Sequence, residues 1–182
     1  MRRPAVTFVL LAAVAALATE MIRTEAAGLR FAVPRTWDRV PAPSDVRAAQ
    51  WKARHAAGDT EDAEVVLFFF GKGKGGGVDE NLDRWYGQFT EPDGRAARDA
   101  AVVTIRTVNG LRVTAVDLAG TYKPGQMPSG PLPPPKRDFR MLAAVIEGED
   151  GPWFLKMTGP QRTMAAAKPD FDAVLASLTP HR

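Results

Sequence analysis

The chain of 182 residues contains no cysteine. That excludes disulfide bonds, thiol catalysis and thiolate metal sites. Histidine is nearly as scarce, with only His55 and His181. One is expected at the end of a strand and the other is the penultimate residue. A two-histidine metal centre would need both places to meet and a carboxylate to join them. Serine occurs only at Ser44, Ser129 and Ser177. None lies in a G-x-S-x-G turn, and two histidines leave little material for a Ser–His–Asp arrangement. The acidic run Asp59, Glu61, Asp62 and Glu64 lacks the order of a calcium loop and reads as a solvated turn. One carboxylate pair stays open on sequence alone. Asp117 and Glu147 fall on predicted strands and would suit glycoside hydrolysis if they faced each other at the required spacing. No catalytic residue is assigned, and no metal or cofactor is expected.

The longest hydrophobic run is at the start. Arg2 and Arg3 precede a stretch, from Ala5 to Ala18, in which every residue is apolar or small. It ends in Ala16-Leu17-Ala18, followed by polar Thr19 and Glu20. A short positive segment, a run too brief to span a hydrocarbon core and an A-x-A end predict a secretory signal peptide over Met1–Ala18. The alternative is an uncleaved membrane anchor. The expected location is therefore periplasmic or extracellular, with no stable membrane span once the signal is removed. The chain's net charge is +3 from 24 basic and 21 acidic side chains. Cleavage after Ala18 leaves 22 against 21, a near-neutral domain with no long basic run, so nucleic acid is not an expected partner.

Thr19–Ala27 reads as a flexible lead-in, and residues 28–180 as one α/β domain. Strands are expected over Gly28–Val33 and Val46–Arg54, with Trp37 packing on the core. Ala63–Phe70 (AEVVLFFF) and Met141–Ile146 (MLAAVI) are apolar without alternation, which predicts strands covered on both faces. Asn109-Gly110 between Val102–Val108 and Leu111–Leu118 predicts a tight hairpin. A second hairpin is expected from Phe139–Glu147 and Pro152–Thr158. Val78, Leu82, Trp85 and Phe89 share one helical face, with Asp79 and Glu80 at its start and a turn at Pro92-Asp93-Gly94 after it. Phe171, Val174, Leu175 and Leu178 define a closing helix, with Pro169 expected in its first turn. Six prolines between Lys123 and Lys136 predict a stiff, partly polyproline-II loop.

Together these elements predict an α+β protein: a central, mainly antiparallel sheet of six to seven strands with two helices on its faces. The pattern resembles the Mog1/PsbP-like α/β/α sandwich. The residues that carry the resemblance are Phe31-Ala32-Val33-Pro34 followed by Trp37, the helix Asn81-Leu82-Asp83-Arg84-Trp85 and the closing helix Asp170–Leu178. Residues Asn81–Phe89 and Gly120–Pro131 are also similar to uncharacterised exported bacterial proteins. The resemblance implies an accessory or partner-binding role rather than a catalyst, although a fold does not fix a function.

Two candidate sites follow. The proline-rich loop, with Tyr122, Met127 and Leu132, would present a stiff surface to an envelope protein, and Arg84 and Tyr86 on the predicted helix would form a separate exposed aromatic–arginine patch suited to the same role. The alternatives are a cover over a sheet edge for the loop and ordinary packing for Arg84 and Tyr86. Gly71-Lys72-Gly73-Lys74-Gly75-Gly76 fits G-x-G-x-x-G, and Lys72, Gly73, Lys74 and Gly75 before a helix N-terminus would suit an anion. The dinucleotide fold is disfavoured because no strand ending in an acid follows that helix. A plain connector is the alternative. A hydrolase built on the carboxylates is the remaining reading.

Overall fold

Asn109 and Gly110 both hold positive φ, at 48° and 87°, and join β7 (Val102–Val108) to β8 (Leu111–Tyr122) in the predicted two-residue hairpin. From this hairpin an antiparallel meander runs on through β9 (Lys136–Glu147) and β10 (Trp153–Pro160). β10 then pairs with β5 (Ala63–Phe69), which continues to β4 (Arg47–Ala53) and β3 (Trp37–Val40). The far side of β8 is shared by β7 and the short β6 (Phe89–Thr90), completing an eight-stranded sheet. The structure is a computed structural model that describes residues 19–91, 95–125 and 132–181.

A second, three-stranded sheet forms from β1 (Met21–Ala26), β2 (Leu29–Pro34) and β11 (Thr179–Pro180). β1 corrects the expectation of a flexible lead-in. Its sequence, MIRTEA, carries little apolar signal, but Ala27 and Gly28 turn with positive φ (48° and 73°) and lay it antiparallel on β2. The two-face reading of the central strands holds. Val65, Val66 and Leu67 are all buried, as is every residue from Met141 to Ile146.

Two clusters account for the two faces. One gathers Trp51, Val65, Leu67, Val113, Leu155 and Met157 of the large sheet with Leu29 and Phe31 of the small one. Into it pack Met164, Phe171, Val174 and Leu175 of helix α3 (Gln161–Ala176). The other gathers Val116, Leu118, Met141, Ala143, Val145 and Phe154 with Leu82 and Trp85 of helix α1 (Val78–Tyr86). Ala97 of the one-turn helix α2 (Ala97–Ala100) joins it.

Three boundaries differ from the sequence expectation. Phe89 is not on the helical face with Leu82 and Trp85. α1 ends at Tyr86, where the Gly87 N–H reaches the Asp83 carbonyl (3.0 Å), and Phe89 opens β6 beside Tyr122. The last helix starts at Gln161, so Pro169 sits inside it rather than in its first turn. Burial of Thr163, Met164 and Ala167 on the same face as Phe171 outweighs one missing N–H donor. The element count also rises, to eleven strands and three helices among the described residues, because the short elements β1, β3, β6, β11 and α2 lack a readable period. The turn expected at Pro92-Asp93-Gly94 and the signal peptide expected over Met1–Ala18 fall on residues outside those described. No helix among those described is long and apolar enough to cross a membrane.

Candidate functional site

The candidate site lies where α1, the end of β8 and the middle of β10 meet. α1 is fixed at its start by its own side chains and at its end by Gln88, just beyond it. At its start the Gly77 N–H donates to the Glu80 carboxylate (2.8 Å), and the buried Asn81 amide donates to the carbonyls of Gly75 (3.0 Å) and Gly77 (2.8 Å). Arg84 donates to Asn81 Oδ1 (2.9 Å). At its end, Gln88 connects three elements. Its N–H donates to the Trp85 carbonyl, its carbonyl accepts from the Lys123 N–H (2.8 Å), and its side-chain oxygen accepts from Lys156 Nζ (2.8 Å).

Gly120 lets the end of β8 reach this position. Its φ of +144° and a Cβ direction that would meet the Thr90 carbonyl at 2.8 Å leave room only for glycine. The register shift between Gly120 and Tyr122 then delivers the Tyr122 ring, 5.3 Å from Phe89 and stacked on Phe139 at 6.0 Å. The Lys136 ammonium sits 5.1 Å over Phe139.

Lys156 is the unusual group. It lies between Leu155 and Met157 in a central strand, and its ammonium stands 5.6 Å over the Tyr122 ring. Its hydrogen-bond partner is the neutral amide of Gln88 rather than a carboxylate. Burial pushes the amine down to about 8, against the opposing pull of Glu64. Burial likewise pushes the Tyr122 hydroxyl up. Glu64 itself accepts from Gln50 (2.8 Å) and Arg47 (3.1 Å), and the Arg47 guanidinium covers Phe68 at 5.4 Å. The result is a polar and aromatic strip across β4, β5, β10 and β8. It can form hydrogen bonds and cation–π contacts, and its lysine loses its charge at a lower pH than an ordinary lysine. Sequence reasoning passed over Lys156. The signal was a single lysine inside the apolar run Trp153–Met157.

The predicted partner-binding residues separate into distinct settings. Tyr122 is stacked as described. Arg84 is exposed and bonded to Asn81, and Tyr86 is half-buried under the Arg98 guanidinium at 5.1 Å. Leu132 is 66% exposed, and Met127 lies outside the described residues. The two regions singled out in the sequence adjoin through the Lys123–Gln88 backbone bond and the β6–β8 ladder.

In the glycine loop, Lys72 and Lys74 are exposed, and the Lys74 N–H folds back on the Gly71 carbonyl (3.2 Å). The Glu80 carboxylate already occupies the Gly77 amide, so an incoming anion would meet a like charge at the helix start. The acidic run is divided among separate partners. Asp59 accepts from the N–H and hydroxyl of Thr163 (2.8 and 2.6 Å) at the start of α3. Glu61 pairs with Lys136. Asp62 pairs with His55 at 2.7 Å, and this hydrogen bond holds its carboxyl below the usual range. His181 pairs with Glu25 at 2.7 Å. No cluster of three or more histidine and acidic side chains suited to a metal occurs among the described residues. The carboxylates Asp117 and Glu147 do not form a pair. Asp117 stands opposite Leu142 and Glu147 opposite Arg112, five positions apart along the ladder, or about 17 Å. Glycoside hydrolysis needs roughly 5–9.5 Å between its two carboxylates.

No protein-family model and no curated protein matches the sequence. Solved structures do match the fold. Cyanobacterial PsbP (CyanoP) from Synechocystis is similar with a TM-score of 0.52 at 15% identity, covering 94% of this chain and 98% of that one. PA94 of Pseudomonas aeruginosa, a protein of unknown function, is similar with a TM-score of 0.51 at 12% identity, covering 89% of this chain and 98% of its own. The likeness extends over nearly the whole of both neighbours, and the chain therefore has the Mog1/PsbP-like fold expected from its sequence.

Proposed function

We propose that this chain is an exported, non-catalytic accessory domain that binds a protein partner in the cell envelope. The observation that carries this reading is the junction at Gln88. There the exposed helix end bearing Arg84 and Tyr86 adjoins the base of the proline-rich loop at Lys123. Leu132, on the other arm of that loop, is the most exposed large apolar side chain among the described residues. Pro124, Pro133, Pro134 and Pro135 restrict the backbone on the two described arms of the loop, so these arms lose little entropy on docking, and the adjoining aromatic–arginine patch offers the residue types that anchor interfaces. The export half of the reading rests on the signal-like segment Met1–Ala18, and the PsbP-like fold is compatible with it.

The test is capture from envelope extract with the wild-type chain and with Leu132→Asp and Tyr86→Ala, each first shown to be folded by circular dichroism. The reading requires a partner whose capture falls in both variants. A partner retained equally by both, or a small molecule that raises the melting temperature while no protein is captured, sinks it.

A further inference from the structure

Six large apolar side chains are exposed among the described residues, and three of them are on β7. Val102 is 60%, Val103 41% and Ile105 60% exposed, and no residue of the strand is buried. Among the described residues β7 pairs only with β8, and no described strand lies on its other edge. An exposed, flat, β-branched edge strand is a template for pairing with another chain. The sheet's opposite edge is different in kind: β3 has four residues and carries exposed Asp38 and Arg39.

The hairpin fixes which groups face outward. A two-residue turn makes Val108 and Leu111 a hydrogen-bonded pair, and such pairs alternate along an antiparallel ladder. Val102, Thr104, Arg106 and Val108 therefore bond to β8. Val103, Ile105 and Thr107 direct their N–H and C=O groups to the open edge. These three positions are symmetric about Ile105, which is also the middle residue of the strand.

We infer that β7 is a self-association edge, on which a second copy of this chain pairs antiparallel about a two-fold axis at Ile105. That register places Ile105 opposite Ile105, Val103 opposite Thr107, Thr104 opposite Arg106 and Val102 opposite Val108. All the outward backbone groups are satisfied, as six hydrogen bonds derived from the alternation. The only charge on the strand, Arg106, faces a threonine and not its own copy. A symmetric pairing of this kind uses both open edges and closes as a dimer. The surface does not include Arg84, Tyr86 or Leu132, so it stands or falls independently of the partner reading.

The experiment is sedimentation velocity of the full chain over a wide concentration range, with two variants. Ile105→Arg puts like charges directly opposite and should weaken the dimer about tenfold or more, with the monomer fold unchanged. Ile105→Cys supplies the chain's only thiol. Hydrogen-bonded antiparallel partners have Cα atoms about 5.5 Å apart, within disulfide range, so mild oxidation should cross-link it. Thr104→Cys, which faces Arg106 instead, should cross-link far more slowly. The inference is overturned by a wild-type monomer at every concentration, by a dimer that survives Ile105→Arg, or by equal cross-linking at positions 104 and 105.

Discussion

Arg140 grips Asp117 through both carboxylate oxygens, with Nε–Oδ1 at 2.7 Å and Nη2–Oδ2 at 2.5 Å. Both side chains are about one-fifth exposed, at 19% and 20%. The pair joins β8 to β9 where solvent screens it only weakly. Asp117→Ala leaves the guanidinium without its fork partner and should lower stability by about 1–3 kcal/mol. Arg140→Lys keeps the charge and loses the two-pronged geometry, so it should cost less but remain measurable. Urea denaturation of both variants checks the order. It also explains why Asp117 is a structural acid: its oxygens are already committed.

Lys156 gives the protein a pH dependence of definite sign. Its folded amine titrates at about 8, well below an ordinary lysine, so the unfolded chain holds more protons between about 8 and 10.5. Stability therefore rises with pH through that window. Lys156→Met should remove this rise. The difference in melting temperature between variant and wild type, read from pH 7 to 10, should shift in favour of the wild type as pH increases. A constant difference would contradict the burial of the amine.

Gly75 and Gly73 both have positive φ, at 87° and 70°, but their surroundings differ. A Cβ on Gly75 would meet Phe154 at 2.8 Å and Phe70 at 2.9 Å, whereas one on Gly73 meets nothing within 4 Å. Gly73→Ala should cost only the left-handed backbone penalty, about 1–2 kcal/mol. Gly75→Ala adds overpacking of two aromatic rings, about 1–3 kcal/mol more. Equal thermal shifts would show that the loop yields freely.

Thr114 is 1% exposed, and its hydroxyl has no hydrogen-bond partner among the described residues. Thr114→Val keeps the shape and the strand preference while removing an unpaired polar atom. It should raise stability by about 1 kcal/mol, measured by chemical denaturation.

These examples show what the sequence could convey. Asn109-Gly110 announced its turn because few residue pairs accept two positive φ angles. Met141–Ile146 announced a buried strand because a polar residue on either face would have been costly. β1 was hidden because a strand on the edge of a small sheet needs little apolar content, and its evidence is the register with β2. The extension of α3 back to Gln161 was hidden by Pro169, whose local penalty is visible while the burial of Met164 and Ala167 is not. Lys156 was legible as an oddity, but its partner Gln88 comes from 68 positions away. The Lys123–Gln88 junction likewise depends on tertiary pairing.

The ladder between β5 and β10 has a consequence for how the chain assembles. Leu67 faces Leu155 there, 88 residues later, whereas the β7–β8 and β9–β10 turns close within a few residues. Loop-closure entropy favours the local meander β7–β10 as the first structure to form. The hairpin of β4 and β5 then docks on an edge that already exists. Joining the two halves is the slow entropic step, and mutations along the β5–β10 seam should change the folding rate more than equally destabilising ones in the small sheet.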